Sequence, residues 1–206
     1  MSSPQSLYLA SGNLHKVREL QEFADQAGLP LRFYSAQEVG GMPEVVEDTG
    51  SFAGNARKKA HALVPLVPAG AWVMADDSGI CVDALGGGPG VESAYFAGPE
   101  NDDEANLAKL TEVMRPVPAA ERGAHYICVL HLFAGELGEQ VFEGKCSGRL
   151  AVEPAGQGGF GYDPLFVPEG YSDTFGILSA ATKQKLSHRG AAWRSLARWF
   201  KRGAEA

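Results

Sequence analysis

Leu7-Tyr8-Leu9-Ala10-Ser11-Gly12-Asn13-Leu14-His15-Lys16 is the stretch on which the reading of this chain turns. An apolar run of strand character passes through a tight polar loop into a segment where Leu14, Val17, Leu20 and Ala24 recur at helical spacing. Ser11 and Asn13 are capping residue types, Gly12 lets the backbone bend and approach a ligand, and Gly28 is a helix stop. A strand–loop–helix unit turns the first unpaired N–H groups and the positive end of the helix dipole toward the loop. Lys16 adds a full charge one turn in. That is a cradle for phosphate. It is equally the form of any capped helix after a strand, so loops further along the chain must choose between the two.

Outward from that unit, the pattern predicts a short strand over residues 31–34 and a helix from the cap Ser51 to Leu63, closed by Pro65 and Pro68. A buried strand over 71–75 runs into Asp76-Asp77-Ser78-Gly79, and 80–85 continues extended before the break at Gly86-Gly87-Gly88-Pro89-Gly90. Asp102 or Asp103 caps a helix to Met114. Residues 124–133 and 139–152 read as a long hairpin, 156–163 as a glycine-rich loop and 165–167 as a strand. Ser179 and Ser187 each start a helix, the second with Trp193, Leu196, Ala197 and Phe200 inward. βα crossovers combined with a long antiparallel hairpin predict an α/β fold with a mixed sheet rather than a purely doubly wound one.

Composition narrows the function. The 206 residues are 45% hydrophobic, enough for a proper core, and the net charge of −7 argues against a general nucleic-acid binder, which needs a basic face. No run of eighteen apolar residues offers a membrane span. The first six residues have no basic segment followed by an apolar core and so do not read as a signal peptide. Cys81, Cys128 and Cys146 are widely spaced, without C-x-x-C, and read as reduced core residues of a cytoplasmic protein. Gly144-Lys145 lacks the upstream glycine and the following Ser or Thr of a P-loop, and neither G-x-S-x-G nor H-E-x-x-H occurs. His15, His61, His125 and His131 have no partner that the sequence can name and read as structural or surface residues.

Three stretches carry chemistry. Asp76 and Asp77 follow an apolar strand, and alternation points their carboxylates to opposite sides. With Glu47-Asp48-Thr49-Gly50 from another loop they can form a hard-oxygen site of the kind Mg²⁺ prefers. A single acidic pair in a loop is usually just solvated; one that directly follows a buried strand is less ordinary. In Gly158-Gly159-Phe160-Gly161-Tyr162-Asp163-Pro164, glycines around Phe160 let a flat ring approach the backbone, and Phe160 can form one side of a base sandwich. The plain alternative is that Phe160 and Tyr162 are core residues of a tight turn. Lys183 and Ser187-His188-Arg189-Gly190 place a point charge and a planar fork near a helix start, where basic residues are otherwise mostly solvated.

The ordered set of Ser11-Gly12-Asn13-x-x-Lys16, Glu47-Asp48-Thr49-Gly50, Asn55-Ala56-x-x-Lys59-Ala60, Ala75-Asp76-Asp77-Ser78-Gly79, Gly159-Phe160-Gly161-Tyr162-Asp163-Pro164 and Ser187-His188-Arg189-Gly190 resembles the inosine triphosphate pyrophosphatases, or XTP/dITP diphosphatases. The resemblance runs from residue 7 to about 192. It implies a single two-lobed domain over 1–206, with a long mixed central sheet flanked by helices and a deep cleft between the lobes, in a cytoplasmic homodimer. It implies hydrolysis of ITP, dITP or XTP to the monophosphate and pyrophosphate, with Mg²⁺ or Mn²⁺ as cofactor and neither nucleic acid nor membrane as partner. By the match, Asp77 is the catalytic and metal-linked carboxylate, and Asp76 or Glu47-Asp48 would share its catalytic and metal-holding roles. Ser11, Gly12, Asn13, Leu14, His15, Lys16 and Lys59 lie against phosphate, while Ser78, Phe160, Gly161, Tyr162, Asp163, Lys183, His188 and Arg189 line the nucleotide. Gly54, Tyr95, Ile177 and Thr182 stand where the family commonly has Glu, Arg, Glu and Glu. Gly54, Ile177 and Thr182 motivate one alternative, a nucleotide sensor or partner-binding module that has lost hydrolysis; a pyrophosphatase for modified pyrimidine nucleotides is a second.

Overall fold

The computed structural model describes residues 3–204. The first six residues, read above as no signal peptide, lie partly outside that range. Six strands form one sheet in the order β2-β1-β3-β4-β5-β6. They are β1 (Gln5–Leu9), β2 (Leu31–Ser35), β3 (Trp72–Val82), β4 (Gly123–Phe133), β5 (Glu139–Leu150) and β6 (Phe166–Pro168). β1 pairs in parallel with both β2 and β3, whereas β5 and β6 are antiparallel, so the sheet is mixed as expected. The helices are α1 (Leu14–Ala27), α2 (Phe52–Leu63), α3 (Asp103–Met114), α4 (Ala180–Leu186) and α5 (His188–Ala204).

Local chemistry sets the boundaries. Asn13 Oδ1 caps α1 by accepting from the N–H groups of His15 and Lys16 at 2.9 and 3.3 Å, and Gly28 closes it in the left-handed region at φ 64°. Ser51 caps α2 through the Gly54 N–H, and Asp102 caps α3 through Glu104 and Ala105. One expectation fails in an informative way. Asp76-Asp77-Ser78-Gly79 does not end a strand: β3 runs unbroken through it to Val82. Gly79 is not among the glycines with positive φ, and both carboxylates meet lysines, so no turn is demanded there.

The described residues divide into two compact units: residues 3–77, 129–143 and 192–204, and residues 78–128 and 144–191. In the first, alternation along the strands fills both faces. Tyr8 and Ala10 of the β1 segment and Val73 and Ala75 of β3 pack with Ala56, Ala60 and Leu63 of α2. On the other face, Phe23 of α1 and Phe33 of β2 meet Trp193 of α5. The second unit centres on Ile80, Val82, Leu110, Met114, Tyr126, Leu165, Phe166 and Phe175.

Arg122, only 1% exposed, ties that second unit together. Its guanidinium donates to the carbonyls of Met114, Val117, Leu150 and Ala151 at 2.7, 3.3, 3.2 and 2.6 Å. Arg122→Met keeps the bulk and leaves buried acceptors short of donors, at ~1–3 kcal/mol for each one orphaned. The Met114 carbonyl also accepts from Val117 N–H, so the total falls below four full penalties. Urea unfolding is expected to show a loss of roughly 3 kcal/mol. A loss below about 1 kcal/mol would mean the carbonyls find other donors.

Candidate active site

In the first unit, pairing in the sheet places the Ser11 loop beside the acidic stretch of β3. Leu9 sits opposite Met74, and Ala10 N–H donates to the Met74 carbonyl at 2.7 Å. Ser11 Oγ accepts from Asn13 N–H at 3.1 Å, which pins the turn into α1. Gly12, Asn13, Leu14 and His15 stay exposed, and Lys16 is half-buried with its ammonium 2.9 Å from both oxygens of Asp76.

Asp77 points the other way, toward α2, as alternation requires. Its Oδ1 lies 2.7 Å from Lys59 Nζ, and the same ammonium reaches Glu47 Oε2 at 3.1 Å. The two adjacent aspartates thus hold one lysine from each flanking helix. Asp76 and Asp77 are 3% and 8% exposed. Burial first, then the charge of Glu47, pushes the Asp77 carboxyl up to about 6 against the pull of Lys59. Its Oδ2 is buried and receives no hydrogen bond from any described residue. A buried carboxylate oxygen with no donor, beside a second carboxylate, is the natural position for a hard cation or a proton.

Asp48 goes elsewhere. It is exposed and paired with Lys58 at 2.6 Å, so the structure brings Glu47 but not Asp48 to Asp77. Asn55, which carried no assigned role in the sequence reading, proves to be 1% exposed. Its Oδ1 accepts from the N–H and hydroxyl of Thr49 at 3.2 and 2.7 Å, fixing the loop that carries Glu47. The signal for it was its place in the Asn-Ala block. A Cβ at Gly54 would overlap the Thr49 side chain, so no larger residue fits there while that loop holds this shape.

In the second unit, the glycine-rich loop is organised by Asp163. This carboxylate, 3% exposed, accepts from the Phe160 N–H at 2.8 Å and forms an ion pair with Lys183. Gly159 has φ 78°, and a Cβ there would collide with the Asp163 carboxylate, so glycine is required on both counts. Gly161 N–H donates to Asp103 at 3.2 Å. Lys183 Nζ lies 4.5 Å from the centre of the Phe160 ring, which is itself 60% exposed. Of the two aromatics weighed as core or site, Tyr162 is therefore core, its hydroxyl donating to the Ser93 carbonyl at 2.6 Å, whereas Phe160 is presented to solvent. Ser78 is half-buried on β3. His188 and Arg189 are buried at the start of α5, the His188 ring lying flat on Tyr126 at 4.8 Å and 10°. Ile177 and Tyr95, two of the departures, are exposed at 51% and 46%.

The fold and the site define an α/β protein with a mixed sheet and lysine-paired aspartates buried side by side on its third strand. The sequence pattern of the Ham1 family matches residues 7–199, and this chain belongs to that family. It is 54% identical over 200 residues to a protein of Opitutus terrae named dITP/XTP pyrophosphatase, covering 95% of this chain and 98% of the other. A Streptomyces coelicolor protein of the same name is 44% identical over 190 residues, covering 92% and 94%. Among solved structures, a HAM1 protein from Coxiella burnetii superposes with a TM-score of 0.86 at 32% identity, covering 96% of this chain and 99% of its own. The nucleoside-triphosphatase, dITP/XTP pyrophosphatase from Mycobacterium abscessus gives 0.77 at 39% identity, covering 93% and 97%.

Proposed function

We propose that this chain is a nucleoside-triphosphate pyrophosphatase that hydrolyses ITP, dITP and XTP to the monophosphate and pyrophosphate and so clears them from the nucleotide pool. The observation that carries the reading is Asp77: buried, placed by Lys59 at one oxygen, without a donor at the other, and poised near 6. A carboxylate in that state is matched to taking a proton from water near neutral pH. The names of the relatives at up to 54% identity support the substrate class.

The donor set fits a hard divalent cation: two carboxylates with no Cys or His between them. Asp77 and Glu47 would hold Mg²⁺, or Mn²⁺ in its place, which supplies neutralisation of the charge developing on the triphosphate. Everything else falls to the chain. Lys16, Lys59 and the Ser11–Asn13 turn bind the phosphates. Asp77 Oδ2 orients the attacking water and takes its proton. Attack at the α-phosphorus leaves pyrophosphate as the departing group. In the second unit, Phe160 stacks on the base, and Lys183, His188 and Arg189 supply donors to it.

We extend the reading to a single two-lobed domain over 1–206 that works as a cytoplasmic homodimer. None of the three cysteines forms a disulfide, which fits a reducing compartment, and no described helix is long and apolar enough to cross a membrane.

The test is product analysis by ion-exchange chromatography with ITP and Mg²⁺. Inosine monophosphate and pyrophosphate are expected, and chelation should remove turnover. Inosine diphosphate and orthophosphate would overturn the α-phosphorus assignment, and full activity after exhaustive chelation would overturn the metal requirement. Tight ITP binding without any turnover would favour the sensor reading instead.

A further inference from the structure

We propose that His61, His131 and Glu139 form a separate site for a borderline transition metal of the Zn²⁺ class, unrelated to the acidic residues around Asp77. All three belong to the first unit. His61 lies on α2, His131 on β4 and Glu139 at the first position of β5. Glu139 Oε1 is 3.0 Å from His61 Nε2, and Oε2 is 2.9 Å from His131 Nε2. One ligand atom from each residue lies within 4.8 Å of the other two.

The donor chemistry sets this cluster apart from an ordinary salt bridge. Arg57, one helical turn before His61, already grips the same carboxylate through Nε at 2.9 Å and Nη2 at 3.4 Å. The negative charge of Glu139 is therefore met without either histidine. Two imidazoles from different elements nevertheless converge on it. Two ring nitrogens and one carboxylate are the set that zinc takes with a fourth, open position, and imidazole favours Zn²⁺, Co²⁺ and Ni²⁺ over Mg²⁺. His131 is 2% exposed, and its Nδ1 is buried with no hydrogen-bond partner among the described residues. With the proton on Nε2, the buried Nδ1 is an acceptor without a donor; with the proton on Nδ1, that N–H has no acceptor among the described residues and the Nε2 lone pair faces a carboxylate. A cation between His131 Nε2 and Glu139 removes the clash of lone pair and carboxylate.

Arg57 is the competitor. Its side chain is 60% exposed, so releasing it to solvent costs little, but while paired it blocks part of the carboxylate. A bound metal would cross-link α2 to the turn between β4 and β5, and so stabilise the native state by mass action.

The experiment uses the full chain, stripped of metal and titrated with Zn²⁺ or Co²⁺ in the presence of excess Mg²⁺. His61→Ala and Glu139→Gln change partly exposed side chains and are chosen over variants of the buried His131. The wild type should bind one ion per chain, with a thermal midpoint that rises with Zn²⁺ concentration. Each variant should bind at least about tenfold more weakly, and Arg57→Gln should bind more tightly than wild type. The Co²⁺ complex should show visible d–d bands without thiolate charge transfer, which separates this site from Cys81, Cys128 and Cys146. Absence of a Mg²⁺-resistant site in the wild type would overturn the proposal. So would undiminished affinity in both His61→Ala and Glu139→Gln, or a thiolate band in the Co²⁺ spectrum.

Discussion

Replacing Asp77 by Asn is expected to lower kcat on ITP by at least about a hundredfold, or ~2.7 kcal/mol of transition-state stabilisation, while the protein stays folded. Asn keeps the shape of the side chain and removes the charge that would hold a cation and the basicity that would take a proton. Folding should survive because Lys59 retains Glu47 as a partner at 3.1 Å. The charged form of Asp77 is also the form that burial disfavours. Its folded value of about 6 lies above the ordinary 3.8. Between those values the native state binds more protons than the unfolded chain, so this group's contribution to stability falls as pH rises through that window. The Asn variant should lose that dependence. For the wild type, kcat/KM at low Mg²⁺ should fall about tenfold per pH unit below about 6 as the carboxyl takes up its proton, and higher Mg²⁺ should move the break to lower pH. Steady-state kinetics and urea unfolding of both proteins across pH check the two halves of the argument. A fall in kcat of less than tenfold would remove Asp77 from the centre of the chemistry.

Most of the fold is legible because its boundaries are local. Asn13 and Gly28 fix α1, Ser51 fixes α2 and Asp102 fixes α3, each by a side chain or a left-handed glycine acting within a few residues. The opposite directions of Asp76 and Asp77 are likewise legible, since strand alternation admits nothing else. What the sequence hides is partnership at long range. A run of two aspartates, a serine and a glycine reads as the end of a strand until Lys16 and Lys59 are seen to neutralise both acids and let β3 continue. Glu47 and Asp48 are neighbours with the same chemistry. Only three-dimensional contact separates them, Glu47 toward Lys59 and Asp48 outward to Lys58. His61 and His131 stand 70 positions apart, and nothing in either neighbourhood announces Glu139 as their common partner.

ITP and XTP are expected to exceed ATP in kcat/KM by about a hundredfold or more, from two mismatched contacts at ~1–3 kcal/mol each. This selectivity would come from how the donors of the second unit are held. Arginine and lysine can donate but cannot accept, so beside the base edge they suit a 6-keto oxygen and oppose the amino group of adenine. Discrimination of this size needs donors that cannot turn aside. Arg189 is 4% exposed, His188 lies flat against Tyr126, and Lys183 is tied to Asp163, which also fixes the Phe160 N–H. On the proposed function, a purine with the wrong edge would meet a fixed donor with no acceptor to offer it. Stacking on the exposed Phe160 ring carries no such preference, because every purine presents a flat face. The two contributions should separate by mutation. Phe160→Ala should weaken ITP and ATP alike and leave their ratio within about threefold. Arg189→Ala should lower ITP turnover and bring the ratio down by at least tenfold, ~1.4 kcal/mol. Kinetics of both variants on ITP, XTP and ATP decide the matter. If Phe160→Ala moves the ratio and Arg189→Ala does not, selection lies in the shape of the stack rather than in the donors.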